Sequence, residues 1–519
     1  MSAWQRIQNR VELPGRAFFR LLDNSARVQE QLLKDILSKN ENSAIGKSRG
    51  FLGMRTIEDF QQHSPVICYE DVECLIDRIQ MGNDTVLTEE AIVVFEETGG
   101  SSGGTKLIPL TASGLGAIQN AVIPWLHDLL THRPGIASGS AYWSISPAIR
   151  TQQLIGDIPV GLPSDAAYFG STLGEDIVET LAVPPEVGAI RNYNDWRHQT
   201  LSYLLARKDL SFISVWSPTF LLDLIKSIPH ELDCIVNGCV DQGLVDLSRR
   251  RIQEIKHAVN GNNIDTQLLW PMLDTISCWL DASSARYREE LGNMFPDVFL
   301  QGKGLLATEG VVSLPVCSED DAVLAINSCF FEFVDENDVI FLCHELVVGK
   351  TYRVLITTYS GLYRYDLGDQ VLVSGFIGTT PLIKFCGRAG LVSDLCGEKL
   401  TEAFVLKQMS SLSGTAMLAP CANQKPGYVL FLDATDFDSS CIETVTRQTE
   451  QGLCANPQYA YAIRINQLNR LCCYRVDDLW SRYIEYQTTS GKSLGDVKPP
   501  VLMVDSVLFK ELFRSRIAA

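Results

Sequence analysis

The stretch that decides the fold reads Ala91-Ile-Val-Val-Phe-Glu-Glu-Thr-Gly-Gly-Ser-Ser-Gly-Gly-Thr-Lys106. Its first six residues form an apolar run that predicts a short strand, and the Gly/Ser-rich loop Thr98–Lys106 follows directly. Thr111 or Ser113 then caps a predicted helix that continues to about Leu130. A strand, a glycine loop and a helix in this order predict a phosphate site in an α/β sheet.

The loop carries the groups that an anion needs. Its glycines let the backbone approach a phosphate closely and present several N–H donors. Further donors come from the side chains of Thr98, Ser101, Ser102, Thr105 and Lys106. The spacing G-x-x-x-x-G-K-[ST] is absent, because Leu107 follows Lys106, so this is not the P-loop of an NTPase. The alternative is a flexible surface turn, but the flanking strand and helix favour a phosphate loop.

A second motif reads Thr357-Thr-Tyr-Ser-Gly-Leu-Tyr-Arg-Tyr-Asp-Leu-Gly-Asp369. It lies between the predicted strands 353–358 and 370–375, which the turn Tyr359–Gly361 would join. Asp369 at its end can accept two hydrogen bonds from a ribose diol. The alternative for Asp369 is a residue that caps the turn before the next strand.

Shorter motifs add further candidates. Ala307-Thr308-Glu309-Gly310 offers a carboxylate that can hold Mg²⁺, although it can equally be a solvated surface group. Two later segments contain the lysines Lys399, in Gly397-Glu398-Lys399, and Lys498, before Pro499. The seven histidines show no metal-ligand spacing, and no G-x-S-x-G elbow supports a serine hydrolase.

The length, charge, apolar runs and cysteines of the chain argue against several classes of protein. A length of 519 residues is too long for one core and indicates at least two domains. With 44 Lys plus Arg against 62 Asp plus Glu, the net charge of −18 disfavours nucleic acid as a partner. The absence of a long apolar run or an apolar N-terminal segment predicts a cytoplasmic protein without a membrane partner. The 15 cysteines, without a C-x-x-C pair, indicate reduced thiols.

The composition changes near Gly387-Arg388-Ala389-Gly390. We therefore expect a large N-terminal domain, residues 1–387, and a smaller α+β domain, residues 388–519. The domain boundary would lie near residues 387–390.

Taken in order, these motifs resemble those of the auxin-responsive acyl acid amido synthetases, the Gretchen Hagen family, and their bacterial relatives in the adenylate-forming superfamily. The block Thr357–Asp369 matches the family signature almost residue for residue. The resemblance extends from about residue 50 to about residue 505, in the family's order. The loop departs from the plant pattern at Gly99-Gly100-Ser101-Ser102, which leaves its individual phosphate contacts unassigned.

The resemblance implies an α/β fold, with a large N-terminal adenylation domain of mixed sheets and a smaller, mobile C-terminal α+β domain. It implies that ATP and Mg²⁺ activate a carboxylic acid, expected to be aromatic, as acyl-AMP. An amine, expected to come from an amino acid, then forms the amide. Antibiotic biosynthesis is one setting for such a bacterial ligase. The alternatives are an acyl-CoA ligase and a catalytically idle binding protein on the same fold.

The resemblance also implies roles for single residues. Glu309 would act in catalysis as the ligand of Mg²⁺, and Lys399 and Lys498 would stabilise charge. ATP would contact the loop, Thr308, Asp369 and Arg388. The candidates for a flat acyl pocket, each of which can equally be a core residue, are Trp125, His127, Trp143 and Phe169.

Overall fold

The first 80 residues form helices that are capped by their own sequence. A computed structural model describes residues 1–82, 85–99, 105–143, 153–162, 165–190, 192–242, 247–388, 392–421, 425–489, 497–498 and 500–504. Ser2 and Thr56 each begin a helix through a capping box. The helices of this region span Ala3–Leu21, Ser25–Lys39, Ala44–Arg49, Ile57–His63 and Tyr69–Gln80.

The glycine loop connects two strands of a hairpin, so a strand that the sequence did not predict lies between the loop and the predicted helix. Ile92–Gly99 pairs antiparallel with Thr105–Thr111, and Thr98 faces Lys106. The helix starts only after this second strand and spans Ala112–His132; we call it the site helix. Thr111 caps it, as the sequence predicts, by accepting a hydrogen bond from the Gly114 amide at 3.0 Å. The hairpin belongs to a four-stranded sheet with Ile158–Val160 and Gln153–Ile155.

A four-stranded parallel sheet follows, and its strands are short and largely buried. Their order is Phe299–Gln301, Thr275–Ser277, Leu210–Ser214 and Ser140–Trp143. Parallel sheets need cover on both faces, which explains the many helices in this region. These are Ser171–Val178, Tyr193–Ala206, Pro218–Lys226, Ile228–Gln242, Arg249–Ala258, Thr266–Leu269 and Arg288–Met294.

The third sheet has seven antiparallel strands and contains the Thr357–Asp369 block. Its order is Ser313–Leu314, Ala322–Leu324, Thr380–Arg388, Tyr365–Ile377, Thr351–Thr357, Phe330–Val334 and Ile340–Leu342. The predicted partners pair as expected, with Arg353 opposite Gln370. Small ribbons are formed by Leu306–Ala307 with Gly310–Val311, and by Val259–Asn260 with Asn263–Ile264. Short 3₁₀ turns lie at Leu22–Asn24, Phe51–Gly53, Pro134–Ser138, Asp165–Phe169, Pro185–Ala189, Ala282–Tyr287 and Cys343–Glu345.

The C-terminal part is a smaller sheet-rich unit. Its three strands are Ala416–Cys421, Gly427–Asp433 and Asn469–Val476, and a ribbon pairs Val392–Ser393 with Leu400–Thr401. Its helices are Glu402–Gln408, Ile442–Leu453, Pro457–Arg464 and Leu479–Thr489. Separate buried clusters cover the two faces of the three-stranded sheet. The chain therefore has the predicted α/β fold, with a large N-terminal part and a smaller C-terminal one. In the part that the structure describes, no helix is long and apolar enough to cross a membrane.

Candidate functional site

The turn inside the Thr357–Asp369 block is held by its own backbone and by one glycine. The Thr358 amide donates to the Leu362 carbonyl at 2.8 Å. Gly361 has a φ of +90°, and a Cβ there would lie 2.5 Å from Leu87 Cβ. Both the left-handed backbone and the lack of space therefore require glycine.

Arg364 ties this turn to the N-terminal helices. Its guanidinium is buried and donates to both carboxylate oxygens of Glu332 at 2.9 Å. It also donates to the Gln61 and Ser64 carbonyls at 2.9 and 2.7 Å. The paired donors match a carboxylate in the bidentate geometry that arginine favours. Arg364 thus fixes the Thr357–Asp369 block to the N-terminal helices through buried hydrogen bonds.

The same turn contacts the start of the site helix. The Thr111 amide donates to Ser360 Oγ at 3.2 Å, and Thr111 Oγ1 donates to the Tyr359 carbonyl at 3.4 Å. A Cβ at Gly114 would lie 2.0 Å from Ser360 Oγ, so the first turn of the helix touches the block directly. This contact joins the two motifs that the sequence separates by about 250 positions.

Asp369, Glu309 and Tyr365 are buried, and the partly exposed Arg388 completes a charged cluster with them. Asp369 faces Arg388 across the strands Tyr365–Ile377 and Thr380–Arg388, and Arg388 Nε donates to Asp369 Oδ1 at 3.0 Å. The Tyr365 hydroxyl donates to Glu309 Oε1 at 3.3 Å. The structure therefore brings together the predicted ribose, magnesium and nucleotide residues.

Burial controls the protonation of this cluster. It raises the pKa of the Asp369 carboxyl above its ordinary value, although Arg388 and Lys498 act in the opposite direction. Burial likewise raises the pKa of Glu309. Burial alone would lower the pKa of Arg388, but the neighbouring charges of Asp369 and Glu309 outweigh it and the pKa is raised. The carboxylates thus lie where a further cation would stabilise them.

The predicted phosphate residues lie at the end of the hairpin. Lys106 Nζ lies 4.9 Å from the centre of the Tyr69 ring and 3.6 Å from Glu70 Oε1. The backbones of Thr98 and Thr105 are in the paired strands, opposite Lys106 and Gly99. Ser101 and Ser102 lie outside the described residues. Thr308 and Glu309 form the turn between the two strands of the small ribbon, and Thr308 is half-buried.

The two predicted lysines are placed differently. Lys498 Nζ lies 4.5 Å from the centre of the Trp279 ring, and its charge reaches both Asp369 and Glu402. Lys399 is exposed, has a φ of +46°, and makes no side-chain hydrogen bond or ion pair with the described residues. Its neighbour Glu398 is buried and accepts hydrogen bonds from the Leu395 and Cys396 amides, both at 2.7 Å.

Three of the four acyl-pocket candidates lie together. The Trp143 ring packs edge-on against Trp125 at 6.0 Å and against Phe169 at 5.6 Å. His127 is separate from them, because positions 125 and 127 point to opposite sides of a helix. It packs against the first helix, where a Cβ at Gly15 would lie 2.3 Å from the His127 ring.

A small cleft, partly open to solvent, lies beside Glu309. The four aromatic and histidine candidates do not line it. Its lining comes from the start of the site helix, from the segment after Glu309 and from the Thr357–Asp369 turn. The lining residues are Leu110, Gly114, Ala117, Ile118, Glu309, Gly310, Val311, Ser328, Cys329, Thr358, Tyr359 and Ser360.

Sequence reasoning missed Tyr365 and Glu402 as neighbours of the charged cluster. Tyr365 and Asp369 point to the same face of one strand, which strand periodicity could have revealed. Burial raises the pKa of Glu402, and Lys498 and Arg388 oppose that shift, so Glu402 lies near the cluster.

Comparisons with known proteins identify the family of this chain. The family model of the GH3 family N-terminal domain matches residues 16–300, and that of the GH3 family central domain matches residues 322–388. The indole-3-acetic acid-amido synthetase GH3.4 of Arabidopsis thaliana is 23% identical, over 94% of this chain and 86% of that protein. The 4-substituted benzoates-glutamate ligase GH3.12 of the same plant is also 23% identical, over 83% and 80%.

Solved structures show the same fold. The acyl acid amido synthetase AtGH3.15 in complex with 2,4-DB superposes with a TM-score of 0.86 at 19% identity, covering 98% of this chain and 96% of that one. A 2-hydroxyisobutyryl-CoA ligase in the postadenylation state superposes at 0.54 with 11% identity, covering 95% and 92%. None of these four proteins is named for antibiotic assembly, so that part of the expectation gains no support.

Proposed function

This chain belongs to the GH3 family, and from that premise we propose that it is an ATP-dependent acid–amine ligase. It activates a carboxylic acid as acyl-AMP, releases pyrophosphate and transfers the acyl group to an amine, forming an amide and AMP. Relatives named for indole-3-acetic acid and for benzoates favour an aromatic acid, and the glutamate ligase favours an amino acid as acceptor.

The observation that carries this proposal is the pair of buried carboxylates of Asp369 and Glu309, with the partly exposed Arg388 bound to Asp369, beside the start of the site helix. Two carboxylates held in a buried site are costly unless they bind something. We assign donors for the phosphates to the Thr308 hydroxyl and the Lys106 ammonium, because both side chains can donate to phosphate oxygens. Carboxylates for ribose and metal next to donors for phosphates match the chemistry of a nucleotide.

Asp369 binds the ribose in this proposal. An ionised carboxylate has two oxygens that accept hydrogen bonds, and only Oδ1 contacts Arg388. Oδ2 can accept from a ribose hydroxyl while Arg388 keeps the carboxylate ionised and oriented. Arg388 is thus a positioning residue for Asp369.

Magnesium fits the donor set of the cluster. Glu309 is buried, burial raises its pKa, and a hard divalent cation with oxygen ligands would stabilise its ionised form. When bound with ATP, the ion would neutralise charge on the phosphates. The remaining phosphate contacts are assigned to Thr308 and to the loop residues Thr98, Ser101, Ser102, Thr105 and Lys106.

The first half-reaction uses the residues that the structure places together. The substrate carboxylate attacks the α-phosphate, and the negative charge that develops there is stabilised by cations. Lys498 fits this role because its charge reaches Asp369. We place the reacting end of the acid in the cleft beside Glu309, which is lined mainly by apolar groups.

The second half-reaction needs a change of position for Lys399. The amine attacks the acyl carbon, AMP leaves, and Lys399 would stabilise the departing charge after the C-terminal domain rotates. The domains remain proposed as 1–387 and 388–519. Gly387 and Arg388 are paired within a strand, so we place the rotation axis just after Arg388. The cytoplasmic location stays a prediction.

Pyrophosphate release tests the proposal. Purified protein with ATP, Mg²⁺ and a panel of aromatic acids should release pyrophosphate with at least one acid. Mass spectrometry with amino acids or CoA as acceptor then identifies the product. An amide supports the proposal, a thioester would favour the acyl-CoA alternative, and no pyrophosphate release across the panel would refute both.

A further inference from the structure

The four parallel strands end in a row of side chains on one face. Trp143 is opposite Ser214, Ser214 is opposite Ser277, and Ser277 is opposite Gln301. Register partners on neighbouring strands point to the same face of a sheet. In open α/β sheets, ligands bind at the carboxyl ends of the strands. This row therefore occupies the usual position of a binding site.

A buried lysine lies over this row. Lys303 follows the strand Phe299–Gln301, and its Nζ donates to Ser214 Oγ at 2.6 Å. The same Nζ lies 5.3 Å from the ring centres of both Trp125 and Trp216. The faces of two indoles stabilise a cation in an apolar setting. A positive charge is thus placed inside the aromatic cluster.

Two further polar groups of the row have no hydrogen-bond partner among the described residues. They are the indole N–H of Trp143, a side chain that is 8% exposed, and the hydroxyl of Ser277, which is fully buried. Buried polar groups without partners are rare in native proteins and indicate water or a ligand. Both groups can donate to an acceptor.

The row is connected to the cleft beside Glu309 along the site helix. Ile118 lines the cleft, and Trp125 lies two turns further along the same helix face. Seven residues of helix span about 10 Å. Trp125 donates its indole N–H to Gln301 at 2.9 Å, which attaches that face to the row. The cleft and the row therefore lie along one face of the site helix.

We propose that Lys303, with the Trp143 indole N–H and the Ser277 hydroxyl, forms a subsite that selects an aromatic acid with a second carboxylate at its far end. All three groups are donors, so an anionic acceptor complements them better than a methyl or a ring hydrogen. The subsite rests on the proposed ligase function, because it binds the acid that is to be adenylated. Lys303 acts as a specificity residue and takes no part in bond formation.

Paired substrates test this subsite. Each pair exchanges the distal carboxylate for a methyl group: terephthalate with 4-methylbenzoate, and 4-carboxycinnamate with 4-methylcinnamate. The measurement is kcat/KM for acid-dependent ATP–pyrophosphate exchange. The wild type should prefer the dicarboxylate of at least one pair, and Lys303→Met should reduce that preference ratio about 10- to 100-fold, the range of a charge-assisted hydrogen bond. Lys407→Met, on an exposed helix position, should keep the wild-type ratio.

Two further measurements keep the test decisive. Trp143→Phe keeps an aromatic ring but removes the indole N–H, and it should lower the same ratio if Lys303→Met does not fold. Quenching of tryptophan fluorescence reports binding without catalysis, and terephthalate should quench the wild type more strongly than 4-methylbenzoate does. If exchange fails for every acid while this quenching difference persists, the ligase proposal fails and the subsite stands. If the folded variants remain active ligases but keep the wild-type preference for the dicarboxylate, the subsite proposal is overturned.

Discussion

At the residue scale, the site depends on charges that are buried together. Asp369 and Glu309 keep raised pKa values because of burial, and Arg388 offsets part of that cost for Asp369. Removing one member leaves the others buried and unpaired, which is more costly than the loss of one surface contact. Substitutions here should therefore change both nucleotide binding and stability.

Asp369→Asn should weaken ATP binding. The amide keeps one acceptor oxygen but loses the charge, so we expect KM for ATP to rise about tenfold or more, within the range of hydrogen bonds to charged groups. Pyrophosphate exchange at varied ATP measures this. Asp338→Asn, at an exposed turn, should match the wild type. Unchanged ATP kinetics in Asp369→Asn would remove the ribose assignment.

Glu309→Gln should stabilise the metal-free protein at neutral pH. Burial raises the pKa of Glu309 in the folded state, so its favourable contribution exists below the unfolded pKa, about 4, and is lost as pH rises through the folded pKa. The melting temperature of the variant, measured in EDTA, should exceed that of the wild type at pH 7 and converge with it near pH 4. Equal melting temperatures at both pH values would contradict a buried, ionisable Glu309. The same variant should lose magnesium-dependent activity.

At the element scale, the Thr357–Asp369 turn and the start of the site helix form one unit. Thr111 caps the helix and contacts the turn, while Arg364 fastens the turn to the N-terminal helices. The rigidity of this unit positions Asp369 relative to the hairpin loop. Changes to the turn should therefore affect the site without touching its charged groups.

Gly361→Ala should destabilise the protein by about 3 kcal/mol. A left-handed backbone costs an L-residue about 1–2 kcal/mol, and a Cβ 2.5 Å from Leu87 Cβ adds the cost of overpacking. Gly349→Ala is the matched control, because its φ is +83° but nothing lies within 4 Å of its Cβ. Urea denaturation should show only about 1 kcal/mol for the control. Equal losses in both variants would contradict a steric role for Leu87.

At the scale of the whole molecule, the proposed C-terminal unit, residues 388–519, contains both candidate lysines. The charge of Lys498 reaches Asp369, whereas Lys399 makes no side-chain hydrogen bond or ion pair with the described residues. This difference is expected if one unit rotates between half-reactions.

Lys498→Met and Lys399→Met should therefore separate the two steps. Lys498→Met should slow pyrophosphate release about 10²- to 10³-fold, the effect of losing one charge-stabilising group. Lys399→Met should retain a single-turnover burst of pyrophosphate but slow amide formation. Rapid-quench experiments with mass spectrometry measure both. If both variants impair only the first step, the proposed rotation loses its support.

Much of the fold could be predicted from local signals. Thr111 is the helix cap that its side chain suggested, and the predicted strands 353–358 and 370–375 pair with Arg353 opposite Gln370. The hairpin strand Thr105–Thr111 was missed, because a glycine loop before a helix favours direct entry into that helix. This segment becomes a strand by pairing with Ile92–Gly99, and a local sequence pattern does not show that pairing.

The sequence by itself determined the family motifs, the element types and the residues able to carry charge, because those depend on neighbours along the chain. Only the tertiary structure decided that Asp369, Arg388 and Glu309 share one buried cluster, and that Lys303 lies between two indoles. It also separated His127 from Trp125 and left Lys399 exposed. Strand register, the buried face of a helix and burial arise from packing between distant segments, so a local sequence pattern cannot specify them.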